Sequence, residues 1–471
     1  MPSEDSARID RAIADLRPQG PRRPPLRAIC TLGDRMRELC TPGVSVAVIE
    51  KFEVAGARGV GVRRVGESAA VRPDTPFQTG SISKAVFALA VMRLCQDNRI
   101  DLDTDIRTYL KSWQIPAGDD GWEPRINLRQ LLSHTAGTTV HGFPGYPAGG
   151  TQPSLAQILD GVPPANTSSI FVDLVPGLQF RYSGGGTTIA QLAVTDAVGS
   201  AFPDLMRELV LAPLKMEDSS FEQPPSSKLA DRAAVGHPLN GIPIPGGWHV
   251  YPEMAAAGLS STAADLARLG AALMRCLRGE ITELGLTRQS LAAMLRPQLP
   301  DQVEGSEFVG LGWFCSGEGD AFRFGHAGAN HGFLADLRLY PATGQGAAVI
   351  INSNLGWPLM EELLRAIERE YRWPVAAQRT SGTSTPIHFA GTYRDSAGRV
   401  FRVEQAGDTF LLWVGDQNPI RLMPSSDGVL SSETPQIKVR LAHGAEGSRA
   451  ITLTQGGRTF EAVKALDELS G

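Results

Sequence analysis

Apolar residues in GVSVAVIEKFEVAGARGVGVRR, residues 43–64, fall at every second position on either side of a polar break. That alternation predicts two antiparallel strands joined by a tight turn near Glu50–Lys51. Its glycines resemble a nucleotide-binding loop only on the surface, because they follow a hairpin and open no helix. TGSISKAVFALAVMRL, residues 79–94, reads differently: Ala85, Val86, Leu89, Ala90 and Met92 leave almost no polar face, so a buried helix is expected. Short helices joined by Gly/Pro loops follow at INLRQLLSHTAG, SLAQILDG and AFPDLMRELVLAPL. SSTAADLARLGAALMRCLRGE is a cleaner helix, with Thr262 and Asp265 as a capping pair and Leu266, Leu269, Leu273 and Leu277 on one face. Gly279 ends it. Strand patterns return at FVGLGWFCSG, FRFGHAGANHGFLADLRLYP and GQGAAVIINSN, before an amphipathic helix, WPLMEELLRAIEREYRW, that has Pro358 near its first position. A hairpin, then helices, then strands and a closing helix imply an α/β domain: an antiparallel sheet flanked by helices, with an all-α subdomain.

The flanks have another character. Residues 1–27 join a short helical pattern to the Pro-rich RPQGPRRPPLR, and residues 376–386 are a linker by composition. From residue 387 to 471 the chain breaks into short alternating strands, GRVFRVEQ, TFLLWVG, IRLMP, IKVRLA, AITLTQ and RTFEAVKAL. Turn signals at Ala406–Gly407–Asp408, Asp427–Gly428 and Gly456–Gly457 separate them, the signature of a small all-β barrel or sandwich. The organisation expected is an extension (1–27), a main domain (28–375), a linker (376–386) and a β domain (387–471).

With 471 residues, 42% hydrophobic and 20% charged, the chain can bury large cores. A net charge of −5 argues against nucleic acid or an anionic membrane as principal partner. Five cysteines form no CxxC pair or disulfide framework, and Cys95 and Cys276 fall in apolar helical runs. No stretch has signal-peptide character or the length of a membrane span, so a cytoplasmic location is expected. The eight histidines show no metal-ligand spacing, so neither a metal nor another cofactor is implied.

The chemistry begins with Ser81 and Lys84, one turn apart at the start of the apolar helix. A serine hydroxyl needs a base to become a nucleophile, and burial lowers a lysine pKa toward the range where its amine is one. The plainer alternative is a serine N-cap beside a snorkelling lysine. Two further motifs bear on the choice. QFRYSGGGTTIAQL sets Tyr182 before Ser183 and three glycines, and FRFGHAGANHGF sets His326-Ala327-Gly328 in a strand. With LLSHTAG, PLKMEDSSF and AAAGLSSTAADLARL in the expected order along the chain, residues 28–375 resemble the serine β-lactamase/penicillin-binding-protein superfamily. The branch they resemble is the class C-like one that holds D-aminopeptidases, D,D-peptidases and esterases. The C-terminal strands resemble, more loosely, the lipocalin-like barrels appended to some of these enzymes.

The resemblance implies roles. Ser81 would be acylated and Lys84 would share its proton. Tyr182 would act as base and then protonate the leaving group, and His326 would hydrogen-bond or polarise Tyr182. The N–H groups of Ser81 and Ala329, just past Gly328, would form the oxyanion hole. The departures matter too. Gly184 stands where the family's Tyr-x-Asn has Asn, and His-Ala-Gly replaces Lys-Thr-Gly, which argues against efficient β-lactam hydrolysis.

Around this core, Ser183, Gly184, Gly328 and His331 are candidate substrate contacts, as are Trp248, His249 and Glu253 in the loop GGWHVYPEMAAAG. Glu253 is a candidate to meet a substrate amine. His134 reads as a structural histidine at a helix end. YSGGG lacks the Lys-Ser/Thr of a phosphate loop. The expected function is a serine hydrolase cleaving an amide or ester of a small-molecule or peptide substrate. An acyltransferase or peptide cyclase, passing the acyl group to an amine, is one alternative. An inactive binding protein is another. The sequence leaves the oligomeric state open.

Overall fold

The computed structural model describes residues 4–14, 16–17, 31–117, 123–177, 179–299 and 307–374, and the strand-forming segments of 389–464. The Pro-rich connector and the linker expected at 376–386 lie outside these, as does Gly407–Asp408 with the other barrel turn signals. The chain divides into two compact units at residue 375.

In the first unit, β1 (Gly43–Glu50) and β2 (Glu53–Gly61) form the expected hairpin, but its turn is one residue further on. Lys51 and Phe52 both take positive φ, at 52° and 69°, the twist that a two-residue turn between right-twisted strands requires. The strands after the helices are β3 (Phe308–Val309), β4 (Phe314–Ser316), β5 (Arg323–Asn330), β6 (Phe333–Tyr340) and β7 (Gln345–Ile351). Together they make a seven-stranded antiparallel sheet in the order β2-β1-β7-β6-β5-β4-β3.

Strand periodicity then sorts the cores. Val44, Val46 and Val48 point with Val349 and Ile351 to one side, where they meet Leu359, Leu363 and Ile367 of the closing helix Trp357–Glu370. Ala47 and Ile49 point with Ala348 and Ile350 to the other, larger core. That core takes in α1 (Ile82–Gln96), α2 (Gly184–Val198) and α4 (Ala263–Leu277), and the short helix α3 (Met254–Ala257) adds Ala255 to it. The helical layer therefore shares its core with the sheet. Each fully buried Val, Leu or Ile contributes roughly 1.5–3 kcal/mol of transfer free energy.

The capping expectation holds at Thr262, whose Oγ1 accepts a hydrogen bond from Asp265 N at 3.1 Å. The second unit is a closed barrel of eight antiparallel strands, β8 (Gly391–Asp395), β9 (Val400–Ala406), β10 (Thr409–Val414), β11 (Ile420–Pro424), β12 (Val429–Glu433), β13 (Gln436–His443), β14 (Arg449–Gln455) and β15 (Arg458–Lys464). It has its own core, built around Tyr393, Leu412, Leu430, Val439 and Ile451.

Candidate active site

The segment before α1 is held rigidly. Thr79 donates from both N (2.9 Å) and Oγ1 (3.0 Å) to Leu259 O. Ser83 Oγ donates to Gly80 O (2.5 Å) and accepts from Leu259 N (3.0 Å). Ser81 then stands at the mouth of a largely apolar helix. Its hydroxyl makes no N-capping bond, so the plain capping reading does not describe it. Lys84 does not snorkel either: it is 4% exposed. Its Nζ donates to Ser81 Oγ at 3.0 Å and to Ala256 O, on α3, at 2.7 Å. Among the described residues no carboxylate pairs it, and burial brings the Lys84 pKa from 10.5 down to about 7.

Tyr182 lies at the same hydroxyl, and the Ser81 side chain works to lower its phenol pKa. Burial pushes its phenol pKa well up, so the neutral hydroxyl is the form present at ordinary pH. Its ring lies against His134 (centroids 4.3 Å apart) and His141 (4.9 Å), with Phe314 stacked at 6.3 Å. Lys84 Nζ lies 5.0 Å from the ring centre.

His326 sits close by, with its ring centroid 6.4 Å from that of Tyr182. The expected hydrogen bond to Tyr182 is not made. Nδ1 donates to its neighbour's carbonyl, Ala327 O, at 2.6 Å, and Nε2 is buried without a partner. Because a carbonyl only accepts, the proton is on Nδ1. Burial and the Lys84 charge hold the His326 pKa near 3, so Nε2 is a bare acceptor on a neutral ring.

The two candidate oxyanion donors meet through glycine. A Cβ at Gly80, where φ is +53°, would lie 2.6 Å from Ala329 N, and one at Gly328 would lie 2.8 Å from Ser81 N and strike Thr79 O. Only bare backbone lets β5 press this closely on the Gly80–Ser81 segment.

Other candidates are placed differently. Ser183 is 1% exposed and caps α2: its Oγ accepts from Gly186 N (2.9 Å) and donates to Thr139 O (2.7 Å). That hydroxyl is committed to structure. Glu253 is 0% exposed, and apart from its own amide nothing hydrogen-bonds its carboxylate. Burial raises its pKa from 4.5 to about 7, and the structure does not open it to a substrate amine. His331 is exposed on the β5–β6 turn and stacks on His249 at 4.5 Å, while Trp248 is half-buried with Nε1 unpartnered.

His134 is the structural histidine expected, its Nδ1 accepting from Ser183 N at 3.2 Å, yet its ring also backs Tyr182. His141, Phe143 and the Ala256 carbonyl were not legible in the sequence, because no local pattern marks a loop that tertiary contacts bring to the site. Among the described residues, no group of three or more His, Cys, Asp or Glu side chains is placed to hold a metal.

A serine and a buried lysine one turn apart, with a tyrosine on the serine hydroxyl and paired backbone amides, set on an antiparallel sheet with helices, define the fold and site of the penicillin-recognising serine enzymes. The beta-lactamase family profile matches residues 31–370, and the chain belongs to that family. It is 27% identical over 342 residues to penicillin-binding protein 4 of Amycolatopsis lactamdurans, covering 69% of this chain and 84% of that protein. Among solved structures it is similar to the octameric penicillin-binding protein homologue from Pyrococcus abyssi (TM-score 0.57, 20% identity, 92% of this chain and 98% of the other). It is also similar to the beta-lactamase/D-alanine carboxypeptidase from Yersinia pestis (TM-score 0.55, 19% identity, 71% of this chain and 95% of the other). At these identities the two structures speak for the fold alone. No described helix is long and apolar enough to cross a membrane.

Proposed function

We propose that this protein is a serine hydrolase that cleaves an amide or ester through an acyl-enzyme on Ser81. The observation that carries the reading is the Lys84 amine: buried, paired with no acid among the described residues, and 3.0 Å from Ser81 Oγ. In its neutral form it donates to Ala256 O and turns its lone pair to the Ser81 hydroxyl, the arrangement of a general base. Ser81 Oγ then attacks the carbonyl carbon, and the developing oxyanion is met by the N–H groups of Ser81 and Ala329. Tyr182, kept neutral by burial, is suited to hand its proton to the leaving group, and the Lys84 ammonium, which holds the proton taken from Ser81, then replaces it. Water attacks the ester in the second step by the reverse route.

His326, being neutral, offers no cation to a substrate carboxylate, which supports a role other than efficient β-lactam hydrolysis. The test is intact-mass detection of a fluorophosphonate adduct on Ser81, together with the Ser81→Ala variant. Labelling of wild type only, with turnover abolished in the variant, is expected. Turnover by Ser81→Ala above a tenth of wild type would place the reaction elsewhere. Product analysis with added amine separates hydrolysis from transfer.

A further inference from the structure

The loop of residues 139–144 bears on which acyl groups the site accepts. Gly184 lies two residues beyond Tyr182 and opens α2. The space into which a side chain at 184 would project is already filled: a Cβ there would be 2.9 Å from Phe143 Cε2 and 3.2 Å from His141 O. An aromatic edge therefore stands where any longer residue at 184 would present its side chain.

The loop that carries this edge is fixed from several directions. Gly184 N donates to His141 O (2.9 Å) and Gly185 N to Val140 O (3.0 Å). His249 Nδ1 donates to Pro144 O (2.8 Å), and Ser183 Oγ ties Thr139 O. Phe143 itself is half-buried against the main core. Next to it the exposed His141 ring lies on Tyr182, whose other neighbours include Phe314. Charge is scarce on this side of the site. Lys84 is committed to Ser81 and Ala256, and Arg181 to Asp173 and Gly137 O. The Phe143 edge offers a substrate dispersion and stacking, and itself gives an amide or a carboxylate no partner.

We propose that Phe143, held by this loop, is the specificity determinant of the acyl site, selecting acyl groups with an uncharged apolar or aromatic side chain over acylamino or carboxylate-bearing ones. The proposal rests on the reading of Ser81 as the acylated residue. Two p-nitrophenyl esters with the same leaving group test it, those of 3-phenylpropionic acid and of N-acetylglycine. Wild type should favour the phenylpropionyl ester by at least ~10-fold in kcat/KM. Phe143→Ala should bring the ratio toward unity, and Phe143→Ala/Gly184→Asn, which trades the ring for a carboxamide, should invert it. A folded Phe143→Ala and double variant that both keep the wild-type ratio overturn the proposal.

Failure of the acyl-serine reading shows separately, as a Ser81 that fluorophosphonate leaves unlabelled. The Phe143 edge is then judged by calorimetric titration of 3-phenylpropionamide and N-acetylglycinamide into Ser81→Ala protein, with and without Phe143→Ala. Selective binding of the phenyl amide, weakened about tenfold by loss of the ring, supports the proposal. Equal affinities for the two amides, affinity indifferent to Phe143, or no binding of either, overturns it.

Discussion

At the scale of single residues, two buried ionisable groups of opposite kind, Lys84 and Glu253, both have pKa values near 7 for the same reason, lost solvation. For Lys84 the consequence, under the proposed function, is catalytic. The amine must be neutral to take the Ser81 proton, so kcat/KM should rise with pH through an inflection near 7 and level off above it. A pH–rate profile still climbing toward 10, or flat from 5 to 9, would deny Lys84 that role. For Glu253 the consequence is stability. Its folded pKa lies above the unfolded value of 4.5, so the cost of ionising it in the fold is absent at pH 4.5 and below. That cost develops as pH rises and is fully present above 7. Glu253→Gln should therefore stabilise the fold by about 3 kcal/mol at pH 8 and by little at pH 4.5. Urea unfolding at the two pH values reads the difference, and an equal effect at both would show the carboxylate to be solvated or paired. Ser81 and Lys84 were legible in the sequence as a pair one turn apart on an apolar helix, but the spacing also fits a plain cap, and the reading of their chemistry needed the Tyr182 and His326 motifs and the family resemblance these carry. What the burial of Glu253 does was not, because it follows from neighbours far away in the chain.

Elements carry the next level of the argument. The β1–β2 hairpin, the strand run that holds β5 and β6, the cap at Thr262 and the closing helix all follow local pattern, and all were readable. Two barrel strands were not. Gly391–Asp395 and Val429–Glu433 are short, and have too few apolar residues to stand out by alternation; their pairing with neighbouring strands makes them strands. The close approach of β5 to the Gly80–Ser81 segment is also a matter between elements, and it can be broken by one methyl group. In Gly328→Ala the new Cβ would strike Thr79 O and crowd Ser81 N, so β5 must move away and take Ala329 N with it. Loss of one donor from an oxyanion hole costs about 10²–10³-fold in kcat. A loss of that order is expected, with circular dichroism unchanged and a smaller effect on KM. A near-wild-type kcat would mean that the Ser81 and Ala329 amides do not act together.

At the scale of the whole molecule, the relevant fact is that the described cores do not mix across residue 375. The sheet is packed on both faces by residues of the first unit: Val46, Val349 and Leu363 on one side, Ile49, Ile350 and Leu269 on the other. The barrel closes on Tyr393, Leu412, Leu430 and Ile451, and its first and last strands pair directly, Tyr393 with Lys464 and Arg394 with Val463, so it leaves no open edge. Each unit thus buries its own apolar surface and satisfies its own ladder, the two requirements for folding alone. Ser81, Lys84, Tyr182, His326 and Ala329 all belong to the first unit. A chain ending at residue 375 should therefore fold, keep its own thermal transition within a few degrees of the corresponding one in the full chain, and still label at Ser81 with a small fluorophosphonate. The full chain should unfold in two steps, of which truncation removes one. Differential scanning calorimetry and intact-mass labelling of the two chains decide the matter. A single shared transition, or a truncated chain that is folded yet unreactive, would show that the first unit depends on the barrel instead of folding and reacting without it.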